Sequence, residues 1–469
     1  MSSFSTSLYG STLSSIVSNV NDAFSGKTSG IDVSTIVSEL MQVEDQPEVQ
    51  MQNQQTTINA QVSALTSIGT QMTTLYDSVN SLTDILGAFS QMTTGSSDDS
   101  LVSASADNTA TAGTHTVTVS NLATTSSSYS AYIPTGTSLA GTQIVVKYGS
   151  DPDNPVSTDT INIPSTDTTL QQAASSINSG SYGVTASVVT DAQGSRLVLA
   201  SKTSGAAGNL TVTSPATSFT GSAGVDAQLT VDGVPVDSAT NTVTSAIPGV
   251  TLSLGAADAN NPVLISVQPD TTQASTAIQN FVTAYNAVIG SINSQYTLDS
   301  NGNEGVVAGD SMLRSLQSSL LSMVGGSATS ASGQYVNLQS LGIEMQDDGT
   351  LQINSTNLSQ ALSSNFSGVQ SFFQSTTGWG QSAASQMLQL TDPTLGPVAA
   401  DINGLNQTNQ SLTDQINDFE VRMATVQDQL TTEYSNLNTL LEEYPMQMQE
   451  IAGQLASLPS ASSSSSSSS

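Results

Sequence analysis

Between Ile402 and Tyr444 the chain repeats a seam residue every three or four positions without a break. The row runs Ile402, Leu405, Asn409, Leu412, Ile416, Phe419, Met423, Val426, Leu430, Glu433, Leu437, Leu440 and Tyr444, and eleven of the thirteen are apolar. A seam of this length specifies a helix that needs partner helices along it, and the two polar members, Asn409 and Glu433, set register at some cost in stability. Pro445 predicts a kink. Beyond it the stripe resumes one residue late, at Met448, Ile451, Leu455 and Leu458, which predicts continuation in a shifted register.

A second seam lies near the start. Ile58, Val62, Leu65, Ile68, Met72, Leu75, Val79, Leu82 and Leu86 follow the same repeat and predict a long helix packed along its length. Ahead of it, Asp32 or Ser34 can cap a shorter helix whose apolar face is Ile36, Leu40 and Val43, and Pro47 permits a bend between the two. From Leu101 to about Val267 the texture changes to short alternating runs broken by Gly, Pro, Asn and Asp, such as His115–Val119, Gln143–Tyr148, Val184–Val189, Arg196–Leu199 and Val250–Leu254. Strands at this spacing build sandwiches or small barrels. One helix, around Thr169 to Ile177, interrupts them. After Pro269 the helical period returns at Ile278, Phe281, Tyr285, Val288 and Ile292, then at Met312, Leu316, Leu320 and Met323, and Asp348-Gly349 marks a small hairpin.

Helix, β block and helix, with seams at both ends, fold most simply as an α+β multidomain protein. Both chain ends form a helical-bundle or coiled-coil stalk that carries an inserted all-β, sandwich-like head of two modules. The expected divisions are a flexible segment 1–30, a discontinuous helical leg 31–100 plus 270–459, a first β module 101–128 plus 222–269, a second, inserted module 129–221, and a disordered Ser-rich tail 460–469.

Charge narrows the possible functions. Among 469 residues, 6 basic and 37 acidic side chains give a formal net charge of −31. The basic residues, Lys27, Lys147, Arg196, Lys202, Arg314 and Arg422, are scattered one by one, whereas neutralising nucleic-acid phosphates takes clusters of them. Cysteine is absent, which removes disulfides, thiol nucleophiles and Cys-type zinc sites. No apolar run approaches the roughly 20 residues that span a bilayer, so no membrane insertion is expected. The first thirty residues also lack the basic start and continuous apolar stretch of a secretory signal.

Candidates for chemistry are few. His115, the one histidine, falls in a strand with polar neighbours, so any Ser/His/Asp arrangement would depend on it; a plain strand position is the expectation. Asp299, Asn301, Asn303 and Asp310 partly mimic a calcium loop, but Glu304 stands where a glycine is needed and Asp310 where a bidentate Glu is usual. An Asn/Gly turn followed by a helix cap at Asp310 accounts for the segment better. Asp98-Asp99, Asp347-Asp348 and Glu442-Glu443 are adjacent carboxylates that point in different directions, with nothing apolar around them to raise a pKa. Trp379, between Gly378 and Gly380, suits an interface anchor or a core position equally. No cofactor site and no enzymatic constellation emerge.

Several stretches carry a family resemblance. Ser29–Glu44 followed by Gln46-Pro47 resembles the opening signature of the bacterial flagellar filament-capping family, the cap known as hook-associated protein type two. Further similar stretches follow in the family's order: Ala112–Ala123, Val231–Val236, Ile247–Leu252 with Val267–Asp270, Phe281–Asn286, Ala308–Asp310, Leu341–Ile343 with Asp348–Leu351, and Gln454–Pro459. Thr169–Asn178, Val184–Ser187 and Arg196–Leu199 resemble the small repeat module of flagellin and hook-associated proteins. The long, Ser-rich segment 1–30 and Pro445 depart from the family pattern.

The resemblance implies a secreted structural protein at the distal tip of the flagellar filament, retaining exported flagellin and promoting its polymerisation. It implies a ring-like homo-oligomer of about five copies closed by symmetry, with flagellin, the hook-filament junction proteins and a flagellar export chaperone as further partners, and a type III export signal in the first segment. On this reading the seams form the leg, and Ile36, Leu40, Val43, Met448, Ile451, Leu455 and Leu458 form a filament-contacting foot. The alternatives are a hook-filament junction protein or flagellin-like axial protein, and a surface adhesin that binds glycans through head loops such as Asp151–Pro155.

Overall fold

A computed structural model describes residues 14, 17, 18, 21, 22, 31–134, 136–328 and 337–456. Most of segment 1–30, Leu458 and the tail 460–469 lie outside the described residues, as do the side chains of Met448 and Leu455.

The α+β architecture with a helical stalk and an inserted β region is what the structure contains. Helix α1 (Val33–Glu44) starts at Asp32, whose Oδ1 accepts the Thr35 N–H at 3.1 Å. Asp45 then breaks the helix for one residue, and α2 (Gln46–Thr83) carries Pro47 in its first turn, where a missing N–H costs nothing. Because α2 ends at Thr83, Ile85 and Leu86 stand beyond it in solvent and the seam expected to reach Leu86 stops at Leu82.

The strands follow, with α3 (Leu170–Ser179) among them. One five-stranded sheet has the order β1 (Met92–Ser96), β15 (Asp258–Pro269), β3 (Gly113–Asn121), β11 (Ala227–Val231) and β12 (Val234–Ser238). It packs against a three-stranded sheet of β13 (Thr242–Ile247), β14 (Val250–Leu254) and β2 (Val102–Ala106), and Val102, Val117, Leu252 and Ile265 fill the space between. The tight turn from β11 to β12 places Asp232 and Gly233 at φ 52° and 82°, as a two-residue hairpin demands. A four-stranded and a three-stranded sheet make a second unit with α3, around Ile144, Ile161, Ile177, Leu197 and Leu199.

Strand pairing draws two boundaries differently from the alternation. Met92–Ser96, counted with the helices, pairs with Ile265–Pro269 in the first sheet. Thr125–Ser130, partly counted with the first module, pairs with β8 (Gly194–Ser204) and β10 (Phe219–Ser222) in the second unit. Both segments are Ser/Thr-rich, so their alternation carries no apolar signal to read.

The remaining helices, α4 (Thr271–Tyr296), α5 (Ser311–Val324), α6 (Ser355–Ser364), α7 (Phe366–Gln374), α8 (Trp379–Leu390) and α9 (Pro397–Ala456), close the stalk. Their core contains Leu65, Met72, Leu75, Val79 and Leu82 of α2 with Phe281, Tyr285, Leu316, Leu320, Phe372 and Phe373. Trp379 belongs to this core: it is buried, its Nε1–H donates to the Met323 carbonyl at 2.9 Å, and its ring stacks on Phe372 at 5.7 Å. Phe89, just before β1, stacks on Phe373 at 5.2 Å and ties the root of the head to the helices.

Tyr285 is fully buried, and its hydroxyl has no hydrogen-bond partner among the described residues. Burial pushes its pKa up. A buried hydroxyl without a partner costs stability that a phenyl ring would not. Tyr285→Phe is therefore expected to stabilise the protein by about 1 kcal/mol, read as a higher urea midpoint with an unchanged slope.

Candidate assembly interface

The stalk extends from its core as a rod made by the two ends of the chain. Gln55 Nε2 donates to Thr413 Oγ1 at 2.8 Å, Asn409 Nδ2 to Asn59 Oδ1 at 2.9 Å, and the Ile31 N–H to Asn438 Oδ1 at 2.7 Å. Numbers rise on one partner as they fall on the other, so α9 runs antiparallel to α2 and then to α1. Of the α2 positions singled out, Ile58, Leu65, Met72, Leu75, Val79 and Leu82 are buried, and Val62 is half-buried. On α9, Leu412, Ile416 and Phe419 are buried, and Ile402, Leu405, Met423, Val426 and Leu430 are half-buried. The polar seam position Asn409 meets its like, Asn59, across the pair.

Beyond Leu430 the covered face moves by one residue. Tyr434, Asn438 and Leu441 are the half-buried positions, while Glu433, Leu437, Leu440 and Tyr444 are exposed. The shift falls within the stretch of α9 that lies along α1, where the Ile31 N–H meets Asn438. At Asp45 the chain passes from α2 to α1, and α1 meets α9 through Ile36, Val37 and Met41, all buried. The register shift expected at Pro445 thus occurs a turn or more earlier, and the α9 helix runs on through Pro445 to Ala456. A proline removes one ladder bond and more readily bends a helix than ends it.

The foot residues divide accordingly. Ile36 is buried, and Leu40 and Val43 are half-buried, so that face of α1 is turned onto the chain itself. Ile451 is 56% exposed.

In the calcium-like loop, one oxygen each of Asp299 and Asp310 accepts backbone N–H groups. Asp299 Oδ1 accepts the N–H groups of Asn301 and Asn303, each at 2.8 Å, and the Asn303 and Asn301 bonds hold its carboxyl below the usual carboxylate range. Asp310 caps α5, accepting the Met312 N–H at 2.8 Å. Among the described residues no three His, Asp or Glu side chains converge as a metal site. His115 Nδ1 lies 2.8 Å from Asp232 Oδ2, and Asp232 Oδ1 accepts the Thr116 N–H at 2.8 Å. The pair braces the β11–β12 turn against β3.

One titrating contact escaped the sequence. Asp401, in the second turn of α9, is half-buried, and its carboxyl faces that of Asp310. Burial, and then the facing Asp310 carboxyl, push it up to about 6. Ninety residues separate the two, so only the fold reveals the pair.

A helical rod made by residues 31–83 and 397–456, carrying two β units inserted between them, defines a structural assembly protein. The family model described as the N-terminus of flagellar hook-associated protein 2 matches residues 29–126, and that of its C-terminus matches 224–445. Between them the flagellin hook IN motif matches 154–203, within the second β unit. The B-type flagellar hook-associated protein 2 of Pseudomonas aeruginosa is 30% identical over 407 residues, which are 79% of this chain and 84% of that protein. The flagellar hook-associated protein 2 of Escherichia coli K12 is 28% identical over 450 residues, 89% of this chain and 94% of that one. The crystal structure of the D1-D2-D3 domains of the Escherichia coli flagellar cap protein FliD superposes with a TM-score of 0.56 at 26% identity, covering 73% of this chain and 99% of that chain. The chain belongs to the flagellar hook-associated protein 2 family, the structural caps of the bacterial flagellar filament.

The Asp310–Asp401 contact predicts a pH dependence. A carboxyl whose pKa is raised by folding favours the fold while protonated, and this contribution is lost as pH rises through about 6. Asp401→Asn should therefore be more stable than the parent at pH 8 by about 1 kcal/mol, a value discounted for solvent screening. The difference should disappear only below about pH 4, under the carboxyl's ordinary value of 3.8, as followed by chemical denaturation at each pH.

Proposed function

We propose that this protein caps the distal end of the flagellar filament, retaining exported flagellin and promoting its polymerisation at the growing tip. The observation that carries the reading is the antiparallel pairing of the two chain ends into one rod, with the β units inserted between them. Such a shape provides a leg to stand on a lattice and a head to meet neighbouring heads above it.

The division of labour follows from the packing. The helical core with its rod is the leg, the sheets around Val117 and Leu252 are the first head module, and those around Ile144 and Leu197 are the second. Copies join head to head in a closed ring of about five. Flagellin delivered beneath the ring is held there and guided into a vacant lattice position. The hook-filament junction proteins are the surface on which the first ring stands, and an export chaperone holds the chain before export. No step of this cycle forms or breaks a covalent bond, so geometry and reversible contact suffice.

Loss of the protein should leave hooks in place while flagellin appears unpolymerised in the medium. The full chain should restore filaments, and a chain ending at Met423 should not, although its head still folds. Immunoblots of culture supernatants and electron micrographs read the outcome, and a normal filament in the deletion strain would overturn the proposal.

A further inference from the structure

Because the covered face of α9 moves at Leu430, the rod carries a second apolar row that nothing among the described residues closes. Leu437, Leu440, Tyr444 and Ile451 follow one another at steps of three, four and seven, so they share one side of the helix. Leu440, Tyr444 and Ile451 are 63%, 68% and 56% exposed, while Tyr434, Asn438 and Leu441 lie toward α1. A heptad row in water is an unfinished helix–helix seam.

Charge decides what can finish it. Residues 31–50 and 423–456, which make this end of the rod, hold ten acidic side chains and no basic one. Glu443 and Glu450, each one residue before a row member, flank the row, and Glu433 stands one turn before Leu437. A second copy would bring the same charges to the same seam, and like charges side by side cost affinity. An oppositely charged helix gains from them and is steered toward the row.

We propose that Leu437, Leu440, Tyr444 and Ile451 dock an amphipathic helix of a different chain, whose apolar row is flanked by Lys or Arg. The inference rests on the reading of the rod as the filament-facing leg, and it adds the chemistry of the partner and the exclusion of leg–leg pairing. Attachment of this kind weakens with ionic strength, whereas a purely apolar seam would not.

The test uses the full chain and designed helical peptides of about 21 residues, three heptads long. One carries a Leu/Ile row flanked by Lys, one the same row flanked by Glu, and one the Lys flanks with Ser in place of the row. The first should bind, more weakly as salt rises from about 50 to about 500 mM, and the other two should not. The double variant Leu440→Glu, Tyr444→Glu should weaken binding at least about tenfold. It adds two negative charges, so attraction to overall charge alone would tighten binding instead and overturn the proposal.

Failure of the Lys-flanked peptide to bind would overturn it too. So would self-association in sedimentation velocity that the double variant abolishes, since a second copy would then be the occupant. None of these outcomes depends on whether a deletion strain sheds flagellin, so failure of this inference is distinguishable from failure of the capping function.

Discussion

The pairing of α2 with the first half of α9 determines where every other part of the molecule can sit. It joins residues more than three hundred positions apart, with Asn59 against Asn409 and Gln55 against Thr413. Closing so long a loop costs entropy, though slowly with length, and continuous burial from Leu65 to Leu82 beside α4 and α8 offsets it. Once the ends are side by side, the intervening chain must leave and return at one place. It does so at Met92 and Pro269, which are partners in the same sheet.

Where an element was legible in the sequence, it was legible through apolar spacing. The rows from Ile58 to Leu82 and from Ile402 to Leu430 are seams in the structure because other helices of the chain cover them along their length. The row from Glu433 to Tyr444 reads identically in the sequence yet faces solvent, because there the covered side of α9 is that of Tyr434, Asn438 and Leu441. A repeat reports that a face wants a partner, and the path of the neighbouring chain decides which face receives one.

Polar structure was harder to read. Thr125–Ser130 and Met92–Ser96 are ordinary paired strands with almost no apolar alternation, and Ser126, Ser128 and Ser130 are buried. In a chain so rich in Ser and Thr, hydrogen bonding and close packing of small side chains replace part of the usual signal. The contacts that join distant segments, His115 with Asp232 and Asp310 with Asp401, left no local trace at all. Phe281–Asn286 is the converse. Phe281 and Tyr285 enter the core, while Asn286 clasps Leu351, donating to its carbonyl at 2.8 Å and accepting its N–H at 2.7 Å.

The junction beneath the head has a mechanical consequence. Two chain crossings link head to stalk, the return through Pro269 and Asp270 running straight from strand into helix, and the Asp270 N–H donates to the Gln91 carbonyl at 2.8 Å beside it. Phe89 wedges into the aromatic cluster directly below. A single strand would act as a swivel, but two crossings bonded to each other and pinned by a ring resist torsion. A lateral push on the rod is thus delivered to the β units above it as rotation instead of being absorbed at the neck.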